Sequence, residues 1–202
     1  MAWGKLSSVI LVFGLLVVAS LLVAFGVVAR PVEQLGDPVT VSLEPAVWTG
    51  HPGDIFRVDI AIQSAQQPVD SAQVSIEFDA TALGVVDEEG NPATAIIPGL
   101  DLPDMLTNTV VISGDMGYIK YGAGKMAGSP IQRDFTLASI YFKAFPVTQT
   151  LETSATFITQ DLFVTKVSCE GSAYPLHIEH GRYTIMPYVC YLPITMNLWP
   201  IQ

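Results

Sequence analysis

Basic residues are scarce in this chain. Nine lysines and arginines stand against nineteen aspartates and glutamates among 202 residues, a formal net charge of −10. A surface this acidic repels phosphate backbones, so nucleic acid is excluded as a partner. The acidity fits plain solubility, or a cation-rich extracellular setting. Histidine is rarer still. His51 belongs to a Pro-Gly turn signal, and His177 and His180 are three apart, a spacing that sends strand side chains to opposite faces. With no cysteine or third histidine beside them, they fall short of the three or four ligands a zinc site takes. Nucleophile-elbow, phosphate-loop and zinc-protease motifs are all missing. Carboxylates are plentiful, yet nothing singles out a pair for glycoside hydrolysis. The chain therefore reads as a non-enzyme with no required cofactor. Calcium stays open through two oxygen-rich loops, Asp87-Glu88-Glu89-Gly90-Asn91 and Asp101 with Asp104, although neither has EF-hand spacing. Only two cysteines occur, Cys169 and Cys190, enough for one disulfide in an oxidising compartment or for two separate thiols.

Charge is absent altogether from residues 6–29, LSSVILVFGLLVVASLLVAFGVVA. At about 1.5 Å per residue this run is long enough to cross a hydrocarbon core. Lys5 precedes it, and Glu33 and Asp37 follow with Arg30 alone, so the basic end stays inside and the remainder lies outside. Trp3 then sits at the membrane interface. Two fates fit residues 1–30. One is an uncleaved signal-anchor helix that leaves the protein single-pass in the cell membrane. The other is a signal peptide cut after Ala29, which secretes it. The length of the run and Pro31 just past the cut favour the anchor. Either way the rest of the chain is exported.

After a linker at residues 31–38, the pattern turns to short runs of period two. Phe56, Val58, Ile60 and Ile62 alternate with Arg57, Asp59 and Ala61. Val74, Ile76 and Phe78 alternate with Gln73, Ser75 and Glu77, and Ala138, Ile140 and Phe142 with Ser139, Tyr141 and Lys143. Such alternation predicts strands with one apolar and one polar face. Further strands are expected at 39–43, 109–113, 118–121, 155–158 and 182–185. Gly, Pro, Asn and Asp clusters separate them, at residues 51–54, 89–92, 114–115 and 128–130. The expectation is an all-β, two-sheet sandwich or jelly roll over residues 39–186, with no internal repeat.

Four stretches resemble a bacterial cohesin domain. Val41-Ser42-Leu43-Glu44-Pro45 followed by Pro52-Gly53-Asp54-Ile55-Phe56 looks like its opening. The stretch from Val74 to Val86, VSIEFDATALGVV, is similar to its aromatic-Asp-Pro-x-x-Leu segment, with Ala80 where proline is usual. Gly117-Tyr118-Ile119-Lys120-Tyr121 and Thr136-Leu137-Ala138-Ser139-Ile140-Tyr141-Phe142-Lys143-Ala144 match two later strands. The resemblance implies a nine-stranded jelly roll. It also implies a sheet face that grips a dockerin-like protein. The family's polar contact positions fall on Ser71 and Gln73, where well-known members tend to carry Asn and Asp; Ser75 and Glu77 extend that face. A polysaccharide partner is the alternative, because the fold is shared with carbohydrate-binding modules. Trp48 and Tyr141 are the candidate stacking rings for it. A third reading is a structural envelope component without a ligand.

The last residues, 187–202, form an apolar, uncharged, proline-interrupted tail, too short and too broken to span a membrane. Its Tyr191-Leu192-Pro193-Ile194 resembles a C-terminal tail of some exported bacterial proteins. An extra edge strand, a docking or sorting peptide and a disordered end are all open for it.

Overall fold

Each period-two run forms a strand in the computed structural model, which describes residues 36–160 and 163–188. The chain order is β1 (Val39–Glu44), β2 (Val47–Gly50), β3 (Ile55–Gln63), β4 (Ser71–Asp79), β5 (Leu83–Val86), β6 (Ile97–Pro98) and β7 (Asp104–Ser113). It continues with β8 (Met116–Gly124), β9 (Phe135–Ala144), β10 (Leu151–Phe157), β11 (Lys166–Cys169), β12 (Ser172–Ala173), β13 (Leu176–Glu179) and β14 (Gly181–Ile185). No helix forms among the described residues. The apolar segment expected as an N-terminal helix (1–30), Cys190 and the tail beyond Tyr188 lie outside them.

Fourteen strands thus replace the nine expected. Those without a run in the sequence pattern, β2, β5, β6, β11, β12 and β13, are two to four residues long. Segments this short carry no readable period, and, apart from the local hairpin of β12 on β11, partners far away in sequence hold them as strands. Residues of β2 pair in parallel with β14 and those of β13 in parallel with β1, neither connection being a hairpin.

Two sheets result. The first runs β13-β1-β3-β9-β5, with β6 also on β9. Strand β4 organises the second sheet. Its whole length pairs with β8, from Ser71↔Gly124 to Asp79↔Met116, and β8 pairs in turn with β7. The opposite edge of β4 is shared. There β10 occupies Ile76 to Phe78 and β11 occupies Ser71 to Gln73, while β14 and β2 extend the sheet beyond β10.

Val58, Ile60 and Ile62 from β3, Val74, Ile76 and Phe78 from β4, and Ile140 and Phe142 from β9 are buried between the sheets. Each contributes about 1.5–3 kcal/mol of transfer free energy. Phe56, Phe78, Phe142 and Tyr183 form a connected aromatic centre, with ring centroids 5.1 to 6.0 Å apart. Gly117 is required there: a Cβ would stand 2.1 Å from the Phe78 ring. Segment 91–96 joins the two sheets at their open edge. Ala93 N donates to Val85 O of β5, and Val110 N of β7 donates to Thr94 O. Asn108 of β7 clamps Ile96, accepting from its N–H at 2.9 Å and donating to its carbonyl at 2.7 Å.

Candidate partner-binding face

Alternation along β4 points Ser71, Gln73, Ser75, Glu77 and Asp79 away from the core, as the sequence pattern requires. Pointing outward does not leave them free. After Phe157 the chain lifts off the β4 edge and returns at Lys166. Ile158 N donates to Ser75 O at 2.7 Å, and Thr165 N closes the excursion onto Ile158 O at 2.9 Å. Thr165 Oγ1 lies 3.3 Å from Ser75 N, and Ser75 is 1% exposed. Gln73 spends its amide on Val164 O at 2.7 Å. The Ser71 hydroxyl lies between Asp70 and Ser168, Glu77 accepts from Thr156, and Asp79 accepts from the Thr81 N–H and hydroxyl. Phe163 reaches over to β8, its ring centre 5.8 Å from Lys120 Nζ. On the face expected on β4, Ser75 is therefore covered by the protein itself, while Ser71, Gln73, Glu77 and Asp79 stay partly exposed with internal hydrogen bonds.

The neighbouring strands differ. On the same outer surface, β7 and β8 present Thr107, Thr109, Val111, Ser113, Met116, Tyr118 and Lys120. Among the described residues no hydrogen bond engages the side chains of Thr107, Thr109, Ser113 or Tyr118. Large apolar side chains are exposed on β7 and beside its start: Met105 at 56%, Leu106 at 63%, Val111 at 54%, with Leu100 and Met126 nearby. Charge is nearly absent, since Asp104 is the one ionisable group on β7 and Lys120 the one full charge on β8. The sequence reading recognised these strands but missed the face. The available signal was the uncharged run from Met105 to Ser113, apolar at positions of both parities, which a half-buried strand does not need.

The aromatic pair expected for polysaccharide does not assemble. Trp48 stacks on Phe56 with centroids 3.8 Å apart and an interplanar angle of 10°, as part of the packing at the sandwich edge. Tyr141 stands on the outer surface of the other sheet and donates to Glu88 at 3.1 Å. A sugar chain has no shared strip to lie on. In the acidic loops three of the carboxylates have partners within the protein. Asp87 accepts from Asn91, which holds its carboxyl below the ordinary range, Asp101 pairs with Arg133, and Asp104 accepts from Met126 N. No group of three potential metal ligands occurs among the described residues. His180 Nδ1 accepts from Phe157 N, and His177 lies 3.5 Å from Glu179. Cys169 is buried; burial first, then the charges of Asp70 and Glu170, keep its thiol above the usual range. Its possible pairing lies outside the described residues, because Cys190 does.

Two packed, mainly antiparallel sheets define a class: all-β, two-sheet sandwich domains. Within that class, the cohesin-domain profile matches residues 41–170, and the chain belongs to the cohesin family. Solved structures agree on the fold. A cohesin from Clostridium acetobutylicum is 22% identical with a TM-score of 0.57, the match covering 74% of this chain and 92% of that one. A non-cellulosomal cohesin from the archaeon Archaeoglobus fulgidus is 16% identical (TM-score 0.53, 74% and 92% covered). The cohesin of a type I cohesin–dockerin complex from Clostridium thermocellum is 14% identical (TM-score 0.55, 79% and 100% covered). No curated protein matches the chain by sequence.

Proposed function

We propose that this protein is a non-catalytic attachment module that captures a dockerin-like protein on the outer surface of the β7–β8 side of its sandwich. The exposed apolar side chain of Val111, set among the unengaged hydroxyls of β7 and β8, carries this reading. Val111 is 54% exposed opposite Tyr118 on the outer surface, and Leu106 is 63% exposed at the bulge that begins the run, in an otherwise acidic protein. Exposed apolar clusters depleted in charge are what the centre of a protein interface requires. The cohesin family and the Clostridium thermocellum cohesin–dockerin complex support the choice of partner. Export is part of the proposal, through the uncharged run at residues 6–29, with the module outside the cell membrane or secreted.

Titration calorimetry of the purified protein against a panel of recombinant dockerin modules tests the partner. Saturable binding by at least one module is expected, and heat from none of them would refute the reading. Protease treatment of intact cells tests the export. Degradation of the module without lysis is expected, and protection until lysis would refute an outside location.

A further inference from the structure

We infer that the open edge of the sandwich is a docking groove for the chain's own C-terminal segment, with Leu192 and Ile194 as the side chains that fill it. The groove follows from strand order. Strand β7 ends one sheet and β5 the other, and segment 91–96 bridges them only as far as Val110. Val110 and Ile112 stand opposite Ile119 and Gly117, buried residues of β8, and so point to the inner side of their sheet. Ile112 is nevertheless 55% exposed, because the other sheet stops at β5 and does not cover it. Between Ile112 and β5 lies a cleft of about 630 Å³, lined by Ala80, Gly84, Val110 and Phe145, with Lys143 as its one charged residue. It opens on the inner side of β7, apart from the proposed partner face.

The described residues end beside its mouth. After β14, Met186 N donates to Gly50 O, and Tyr188 stacks on His51 and donates to Pro52 O at 3.1 Å. Gly53, the next residue of that turn, donates to Ala144 O, and Phe145 of the groove wall follows Ala144. Strand β9 ends at Ala144 and neighbours β5, so the cleft lies about two strand spacings, ~10 Å, from this anchor. Four to six extended residues after Tyr188 cover about 13–20 Å, which brings Leu192 and Ile194 to the cleft. Residues 189–202 carry no charged side chain, as an apolar groove requires. Pro193 favours an extended backbone at Leu192, and positions 192 and 194 of an extended chain share one side.

A Cys169–Cys190 bond would draw the segment the other way, and the strand register forbids it. Ser168 pairs with Ser71, whereas Ile185 stands four residues past the level of Phe78, about 35 Å further along the sheet. From Met186 to Cys190 the chain spans at most about 14 Å, and a disulfide needs Cα atoms within about 7 Å.

The test uses the full chain in lipid nanodiscs, so that no detergent competes for the groove, in a Cys190→Ser background. Ile112→Cys should react with a maleimide at least about tenfold more slowly than the same variant lacking residues 189–202. Thr109→Cys, on the outer side of β7, should react alike in both. Leu192→Asp combined with Ile194→Asp should restore the fast rate at Ile112→Cys. Protection should survive dilution from about 10 μM to about 0.1 μM, because a tethered segment acts at an effective concentration near millimolar. Equal rates with and without the segment overturn the inference, as does full protection in the double variant. Protection lost on dilution assigns the groove to a second copy and also overturns it. With both native cysteines present, unfolding without reductant should leave two alkylatable thiols, and a Cys169–Cys190 bond would overturn the inferred course of the segment.

Discussion

Replacing Asn108 by alanine tests how the face is held. Asn108 sits on β7, and its amide is the side-chain tie between that strand and segment 91–96, accepting from Ile96 N at 2.9 Å and donating to Ile96 O at 2.7 Å. Ile96 is 5% exposed, so water does not readily replace the lost partner. Each hydrogen bond is worth about 0.5–1.5 kcal/mol net, and each shielded backbone group left unpaired costs about 1–3 kcal/mol. Asn108→Ala should therefore destabilise by about 2–4 kcal/mol. With a urea m-value of about 2 kcal/mol/M, the unfolding midpoint falls by about 1–2 M. Native-state exchange of the Val110 amide, which donates to Thr94 O beside the clamp, should accelerate in parallel.

Asn108→Asp sharpens the test. Its carboxylate still accepts from Ile96 N but sets a second oxygen against the Ile96 carbonyl, which raises the folded-state pKa above the unfolded one. The protonated acid can donate, so this variant is most stable below the unfolded carboxyl pKa. It then loses stability as the pH rises through the folded value. A loss below about 0.5 kcal/mol for Asn108→Ala, or an Asn108→Asp variant indifferent to pH between about 3 and 7, would refute the clamp.

Other expectations follow from the same packing. Trp48→Ala removes a ring stacked on Phe56 and should cost about 2–4 kcal/mol in thermal or urea unfolding, an unchanged midpoint counting against the packing role. Gly117→Ala places a methyl group against the Phe78 ring and should cost about 1–3 kcal/mol, whereas free tolerance would mean that β8 can shift. The Tyr183 hydroxyl is buried without a partner among the described residues, and burial pushes its pKa upward. Tyr183→Phe should thus be neutral or stabilising by about 1 kcal/mol at pH 7. Above about pH 10 the wild type should lose stability as the unfolded phenol ionises and the folded one resists, and the variant should lose less. An identical alkaline decline in both would refute that assignment.

Much of the sandwich was legible because a strand with one buried face must alternate. Val74-Ser75-Ile76-Glu77-Phe78 announces both the strand and its inward side, and the same holds around Val58 and Ile140. Strands β2, β5, β6, β11, β12 and β13 were not legible, since they are too short for a period and, apart from the β11–β12 hairpin, exist through partners distant in sequence. Trp48 illustrates the same gap. Its place before a turn suggested exposure, but the contact that claims it, Phe56, lies across the 51–54 turn on another strand.

The sequence by itself determined the all-β class, the inward and outward residues of the long strands and the cohesin resemblance, because these depend on local alternation and on motifs of contiguous residues. Tertiary structure alone decided which outward residues are available. Whether Ser75 meets solvent or Thr165 depends on a segment about 90 positions later returning to the β4 edge. Val111 is left bare because none of the described segments returns over the outer side of β7, a matter of tertiary course that no local pattern records.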